Sequence, residues 1–562
     1  MVAVVDRVAV GGTHARALDR PGHPGSDRPA RRGPRERPRR GRARRWSARV
    51  RVRIRGRPSR GSLRPGPRGR GARPRQGPGL RSHRLRERQC GGDGRSRTKG
   101  RRDVRRVVVV GAGITGLAAA HRLLASTTLP LEVTVLDADD RAGGLIRTSP
   151  FAGLDAVDEG ADAFLARVPH AMELASELGL GPEIVAPTGA HAAVWRRGLH
   201  PIPGDLMMGV PASVRAFAAT SLLSPLGKAR AALEPFLPAT PDNDSIGEYV
   251  RARFGDEIHE RLVDPLVGSI YAADTDHFSL AAVPQIAALT AERSMLSAAR
   301  KARRRATATA VSDQVFGVPR RGMGSLIDAL GIAITARGGT VRTACAVESI
   351  ERAAGGYIVH TVGGEVATDA VVLASPARAT APLVRGLDAE CADALARWTH
   401  AGVVLITLAI PPDQWPAPLT GSGYLVPKPD QRWVTAASFG SNKWAHWRPD
   451  DQTMILRVSL GRDGLEVDGF DDAKLLNLCL ADLKLHLGRD FTPSAIRISR
   501  WPASFPQYRP RHFIEVERID HALASRAPGV VVAGASYRGI GIPACIQQAN
   551  AAAARIATHL GT

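Results

Sequence analysis

Residues 107–116 read Val-Val-Val-Val-Gly-Ala-Gly-Ile-Thr-Gly, and a second apolar run closes on Leu136-Asp137. An apolar strand, a glycine turn, a helix start and a second strand ending on an acid, in that order, admit few folds. Gly111 permits the tight turn after the strand. Gly113 has no Cβ, so an anionic ligand can reach the backbone beside Ala112. Gly116 lets the helix pack closely on the strand. The helix start, Ile114-Thr115-Gly116, offers unpaired N–H groups and a partial positive charge. Asp137 follows Gly116 by 21 residues, near the roughly 20 expected for an acid that accepts from a ribose hydroxyl. The pattern predicts a Rossmann-like α/β unit that holds a dinucleotide.

After Asp137 the chain continues Ala-Asp-Asp-Arg141-Ala-Gly143-Gly144-Leu-Ile-Arg147. A second glycine turn with cations lets backbone and guanidinium approach an anionic ligand again, further along its length. The paired glycines and the arginine resemble the extension found in FAD-binding, amine-oxidase-like flavoproteins. That resemblance implies FAD as the dinucleotide, with Arg141, Gly143 and Gly144 added to the 111–116 turn and Asp137. Such flavoproteins more often carry Glu where this chain has Asp137. The shorter acid can still reach a ribose.

The formal net charge of +25 over 562 residues first suggests a nucleic-acid binder. Its distribution says otherwise. Residues 1–100 hold 31 Lys+Arg against 6 Asp+Glu, and the remainder is balanced at 47 of each. The tail is rich in Arg, Pro and Gly and has no sustained apolar period. It cannot bury enough surface to offset chain entropy, so residues 1–103 are expected to be disordered. Three readings of the tail compete: an arm for acidic surfaces, a targeting segment, or upstream codons of a GC-rich genome read from a misplaced start. The last is favoured, because 30 of the 31 basic residues are Arg. No nucleic acid is expected for the folded part.

The five cysteines, Cys90, Cys345, Cys391, Cys479 and Cys545, are scattered, with no Cys-x-x-Cys or Cys/His cluster. Neither disulfides nor a metal site is expected, which fits a cytoplasmic location. No apolar run reaches the ~18–20 residues of a membrane span.

Cofactor signals recur in three separated places. The first is 107–164. The second runs from Gly317 through Arg321-Gly-Met323-Gly324-Ser-Leu to Ala370-Val-Val-Leu-Ala-Ser-Pro376. The third is Gly529-Val-Val-Val-Ala-Gly534, Ser536-Tyr-Arg-Gly-Ile-Gly541-Ile542-Pro543 and a closing helix. Pro543 suits a first helical turn, and the glycines allow close approach of backbone to ligand. The expected organisation is α/β. A discontinuous FAD-binding domain spans 104–180, 316–385 and 521–562. A helical substrate subdomain spans 181–315, and a mixed α/β substrate domain spans 386–520.

Several segments together are similar to the bacterial FAD-dependent porphyrinogen oxidases of haem synthesis. They are Gly111–Gly116, Asp158-Glu-Gly-Ala-Asp-Ala-Phe-Leu-Ala-Arg167, Asp264-Pro-Leu-Val-Gly-Ser-Ile-Tyr271, Pro319–Leu326 and Gly534–Gln547. The resemblance covers nearly everything from about residue 105 onward. It implies three two-electron oxidations of a porphyrinogen to the aromatic porphyrin, with molecular oxygen as acceptor and hydrogen peroxide as by-product. It implies Val347 at the adenine edge, Gly534, Gly541, Ile542 and Pro543 at the flavin, and cofactor-side backbone from Met323 and Gly324. Arg167 becomes the candidate for a substrate carboxylate. A transient contact with ferrochelatase and a peripheral contact with a membrane are further expectations. No catalytic residue and no metal ligand is picked out.

The Ala- and Arg-rich composition resembles that of actinobacterial proteins, which favours coproporphyrinogen III over protoporphyrinogen IX. Three rivals stay open. A flavin amine oxidase would usually show an aromatic pair facing the flavin, but Tyr537 is the one aromatic in the C-terminal segment. A carotenoid desaturase is disfavoured by Gly-Ile-Gly-Ile-Pro. A nucleic-acid module on a flavin fold would depend wholly on the tail.

Overall fold

The computed structural model describes residues 104–126, 130–238, 244–309, 314–415 and 419–561. The basic stretch 1–103, expected to be disordered, lies outside the described residues. Strand β1 (Arg105–Val110), helix α1 (Ile114–Ser126) and strand β2 (Leu131–Leu136) form the unit expected from the glycine pattern. The strands are parallel, with Val110 opposite Leu136. The sheet has five strands in the order Thr340–Arg342, β2, β1, Ala370–Leu373, Val530–Val532, and every pairing is parallel. Three separated pieces of sequence therefore share one sheet.

Both faces of that sheet are covered, which is why its strands read as unbroken valine runs. Val107 and Val109 point into a core with Leu117 and Ala118 of α1 and with Ile546, Ala549 and Ala552 of the C-terminal helix Ile542–Leu560. Val108 and Val110 point the other way, onto Ile350, Tyr357, Leu383, Val516 and Ile519. Alternation along a pleated strand makes this division.

A second sheet has seven strands, in the order Ala495–Pro506, His400–Ile410, Met454–Leu460, Val434–Phe439, Gly423–Leu425, Ala192–Trp195, Leu199–Pro201. Helix Asp472–Leu487 covers one face through Leu475, Cys479 and Leu483. It starts on Asp471, which accepts from the Lys474 amide, and stops at the left-handed Gly488. The other face meets the cofactor-side hairpin. Arg497 donates to Ser149 and to the Val157 carbonyl, and Trp501 Nε1 donates to the Glu159 carbonyl at 3.0 Å.

The segment 181–315 is mostly helical, with helices Ile246–Phe254, Asp264–Tyr271 and Met295–Thr309 among others. Two of its short strands, Ala192–Trp195 and Leu199–Pro201, nevertheless belong to the seven-stranded sheet. Ala192–Trp195 pairs in parallel with Gly423–Leu425. A four-residue run whose partner lies far along the chain carries no local signal. Among the described residues no helix is long and apolar enough to cross a membrane.

Candidate cofactor site

The first glycine turn is built as its residue types require. Gly111 has φ +104°, and a Cβ there would lie 3.0 Å from the Ala374 carbonyl oxygen. At Gly116 a Cβ would lie 1.8 Å from the Gly111 oxygen, so only glycine lets the helix start here. Gly113 differs: a Cβ would meet nothing within 4 Å. The protein's own packing does not demand glycine at 113. An open face over bare backbone, beside the first turn of α1 at Ile114, Thr115 and Gly116, is what a pyrophosphate needs. The residues fit a dinucleotide.

Asp137 ends β2 at the same corner. Its Oδ2 accepts from the Ala112 amide at 2.5 Å and its Oδ1 from the Asp139 amide at 2.9 Å. The carboxylate thus locks the glycine turn onto β2, and each oxygen retains a lone pair for a further donor. The Cys345 amide donates to the Asp137 carbonyl at 2.7 Å. That bond brings the loop leading to Val347, the first residue of strand Val347–Ala353, to this corner.

The second glycine turn lies against the first. The Gly143 amide donates to the Ala112 carbonyl at 2.8 Å, and Gly113 and Gly143 form a parallel bridge. Gly144, at φ +55°, sits so that its Cβ would come 3.4 Å from Gly113 Cα. Arg141 donates to the carbonyls of Ala142, Ile146 and Gly144 at 3.1, 3.1 and 2.7 Å. Its guanidinium clasps this turn from within.

The third part arrives from the C-terminus. Gly534, at φ +124°, follows strand Val530–Val532, and its Cβ would approach Thr115 Oγ1 at 3.4 Å. Gly541 precedes the C-terminal helix, whose first two residues are Ile542 and Pro543, and no side chain caps it. Its first-turn amides are left for another acceptor. Ile114 of α1 packs in one core with Ile542 and Cys545, and Gly534 faces Thr115, so the first turns of the two helices are neighbours.

Other expectations fall differently. The amides of Met323 and Gly324 are taken by protein: they donate to Asp158 Oδ1 at 2.9 Å and Thr148 Oγ1 at 2.8 Å. Arg167 is exposed, on the connection between strand Phe164–Leu165 and helix Pro169–Glu177. Among the described residues no group of three or more His, Cys, Asp or Glu could hold a metal ion.

Sequence reasoning missed the ties around residues 158–162. Asp158 is fully buried, and its Oδ2 has no hydrogen-bond partner. Burial pushes its carboxyl up to about 6, against the opposing bonds from Thr148 and Met323. Arg457 Nη2 donates to the Gly160 carbonyl at 2.6 Å, and the buried Lys443 pairs with Asp162 at 2.8 Å. Only the dense Asp158-Glu-Gly-Ala-Asp162 run hinted at such a knot.

The family model for flavin containing amine oxidoreductases matches residues 114–557. The coproporphyrinogen III oxidase of Bacillus subtilis (strain 168) is 33% identical over 467 residues, covering 81% of this chain and 98% of the relative. That of Mycobacterium leprae (strain TN) is 32% identical, covering 79% and 96%. A crystal structure from Exiguobacterium sp. 255-15, of a protein assigned to the protoporphyrinogen oxidases, superposes with a TM-score of 0.72 at 28% identity. It covers 82% of this chain and 99% of that one. The open glycine turn, the paired helix starts and these likenesses agree: the chain belongs to the flavin-containing amine oxidoreductases and is an FAD-dependent oxidoreductase.

Proposed function

We propose that this protein oxidises coproporphyrinogen III to coproporphyrin III in haem b synthesis, with molecular oxygen as acceptor and hydrogen peroxide as by-product. The observation that carries the reading is the match to coproporphyrinogen III oxidases along nearly their whole length, joined to a dinucleotide cradle made from three pieces of sequence. When bound, FAD supplies the two-electron acceptor that oxygen can restore. The chain's residues do the rest. Gly111, Ala112, Gly113 and the first turn of α1 receive the pyrophosphate. Asp137 and Val347 lie at the adenosine end, and Arg141 shapes the Gly143-Gly144 turn beside it. The first-turn amides at Ile542 and beyond offer partial positive charge where a reduced ring gathers negative charge. No strong general base is needed, because aromaticity of the product drives each step.

The FAD-binding domain in this reading comprises 104–180, 316–385 and 521–562, and the stretches 181–315 and 386–520 supply the substrate side. Arg167 is the proposed partner of a propionate. Leu226 and Phe236, 80% and 79% exposed, mark the place for a peripheral membrane contact. A transient contact with ferrochelatase rests on the chemistry of the product alone.

The test is an aerobic assay on coproporphyrinogen III, protoporphyrinogen IX and simple monoamines, read by porphyrin fluorescence and peroxide. Coproporphyrinogen III should turn over fastest, and amines should be inert. A preference for protoporphyrinogen IX would move the substrate, and amine turnover without porphyrin would defeat the reading. Arg167→Ala should weaken substrate binding by about 1.5–3 kcal/mol with FAD content unchanged.

A further inference from the structure

Tyr508 is fully buried, in the loop after the long strand Ala495–Pro506. Its ring stacks on His512 at 4.4 Å and on Phe278 at 5.8 Å. Its backbone carbonyl accepts from the Ser279 amide at 2.6 Å. The side chain is thus fixed by residues from two other parts of the chain. Its hydroxyl spends both of its hydrogen-bonding roles on one short turn. It donates to the Ala535 carbonyl and accepts from the Gly539 amide at 2.9 Å. Those two groups flank Ser536-Tyr537-Arg538, so one phenol closes the turn.

Gly539, at φ +118°, is three residues before the start of the C-terminal helix. Its carbonyl is held from the other side by Gln548 Nε2 at 3.4 Å, and Gln548 Oε1 accepts from the amides of Gly534 and Arg538 at 3.3 and 3.2 Å. The peptide leading into Gly541 is therefore set by Tyr508 and Gln548 together. The Cys545 thiol adds weak contacts to the Gly539 and Ile540 carbonyls at 3.8 Å each. A left-handed glycine is otherwise free to swing, and no side chain caps the helix.

We propose that Tyr508 is a positioning residue for the oxidation, with Gln548 as its counterpart. Through Gly539 it fixes where the first-turn amides of the C-terminal helix point, and so the charge they present to the flavin. The inference rests on the FAD reading above. Its mark is an effect on the flavin itself and not merely on stability.

Tyr508→Phe keeps the ring stack and removes the hydroxyl. In the purified holoenzyme it should shift the visible flavin spectrum and lower the flavin midpoint potential. It should loosen FAD by about tenfold, the scale of one buried hydrogen bond. It should lower kcat while KM for the porphyrinogen stays within about twofold, because the lost hydroxyl is spent on Ala535 and Gly539 and not on substrate. Gln548→Met, uncharged and of similar length, removes both the donor to Gly539 and the acceptor for Gly534 and Arg538. It should move the spectrum in the same direction. Unchanged spectrum, potential and FAD affinity in Tyr508→Phe would overturn the proposal. If that variant does not fold, an unchanged potential in Gln548→Met overturns it instead. Wild-type protein that binds no FAD would instead sink the reading on which the proposal stands.

Discussion

The two glycine turns do the same physical work, baring backbone amides at a helix start, yet they are held in opposite ways. The turn at 111–116 is held by its neighbours in the same strand–helix–strand unit: Asp137 grips Ala112, and the Gly111 amide donates to the Leu136 carbonyl at 2.7 Å. The turn at 534–541 is held from outside its own strand and turn, by Tyr508 and by Gln548 in the second turn of the helix. A locally held turn can be read from spacing. A remotely held one shows in sequence only as glycines and a proline, and its anchors do not.

The sharpest way to break this comparison is to add a side chain at two glycines of the first turn. Gly116→Ala drives a Cβ to 1.8 Å from the Gly111 oxygen, a backbone atom that cannot retreat without unmaking the turn. We expect no soluble yellow protein, a loss of several kcal/mol. Gly113→Val adds bulk where the fold has nothing within 4 Å. This variant should fold with an unfolding midpoint near wild type and should retain no FAD. Cofactor content and thermal unfolding, measured together, separate the two. Gly113→Val that keeps its flavin would show that the phosphate lies elsewhere.

Two buried groups should also respond to pH with opposite sign. Against the Thr148 hydroxyl and the Met323 amide, burial raises the Asp158 carboxyl to about 6. The fold favours the protonated acid, so this contribution is full below about pH 4 and is lost as pH rises through about 6. Beside the 534–541 turn His512 stacks on Tyr508 and bonds the Tyr537 carbonyl at 3.1 Å. Burial lowers it to about 4. The fold favours neutral imidazole, so that contribution is full above about pH 6.5 and is lost as pH falls through about 4. Each shift is about two units, roughly 3 kcal/mol at most. Unfolding midpoints followed from pH 4 to 8 should lose one slope in Asp158→Asn, which keeps the acceptor for Met323. They should lose the opposite slope in His512→Phe, which keeps the ring stack. The same slope lost in both would contradict the burial assigned to one of them.

Much of the cofactor sheet was legible, because fully buried parallel strands and a glycine turn are patterns of neighbouring residues. The valine runs at 107–110 and 530–532, the apolar run at 370–373, and the closing helix were visible for that reason. What stayed hidden depends on contacts between distant residues. Strand Ala192–Trp195 is defined by its partner Gly423–Leu425 and not by its own four residues. The Lys443–Asp162–Arg457 cluster unites three charges that look like ordinary surface residues in sequence. Met323 and Gly324 were expected to offer backbone to the cofactor, and their amides serve Asp158 and Thr148. A motif identifies a constrained backbone without saying which atom constrains it.

The smallest expected effect tests that last point on Arg141. Sequence reasoning places its charge on the cofactor, while the structure gives its guanidinium to three carbonyls of the Ala142–Ile146 turn. The three bonds come from two nitrogens held in one plane, whereas an ammonium gathers its donors at a single atom on a flexible stem and cannot span the same spread of acceptors. Arg141→Lys keeps the positive charge and loses most of this clasp. If Arg141 acts through the turn, the variant should lose about 1 kcal/mol of stability, and its FAD affinity should fall only a few-fold, in step with that loss. If the charge itself faces the pyrophosphate, the lysine should preserve affinity, and Arg141→Gln should weaken FAD strongly without a matching fall in the unfolding midpoint. Unfolding curves and FAD titrations of the two variants together decide between a clasp and a direct contact. The geometry of the three carbonyl bonds predicts the clasp.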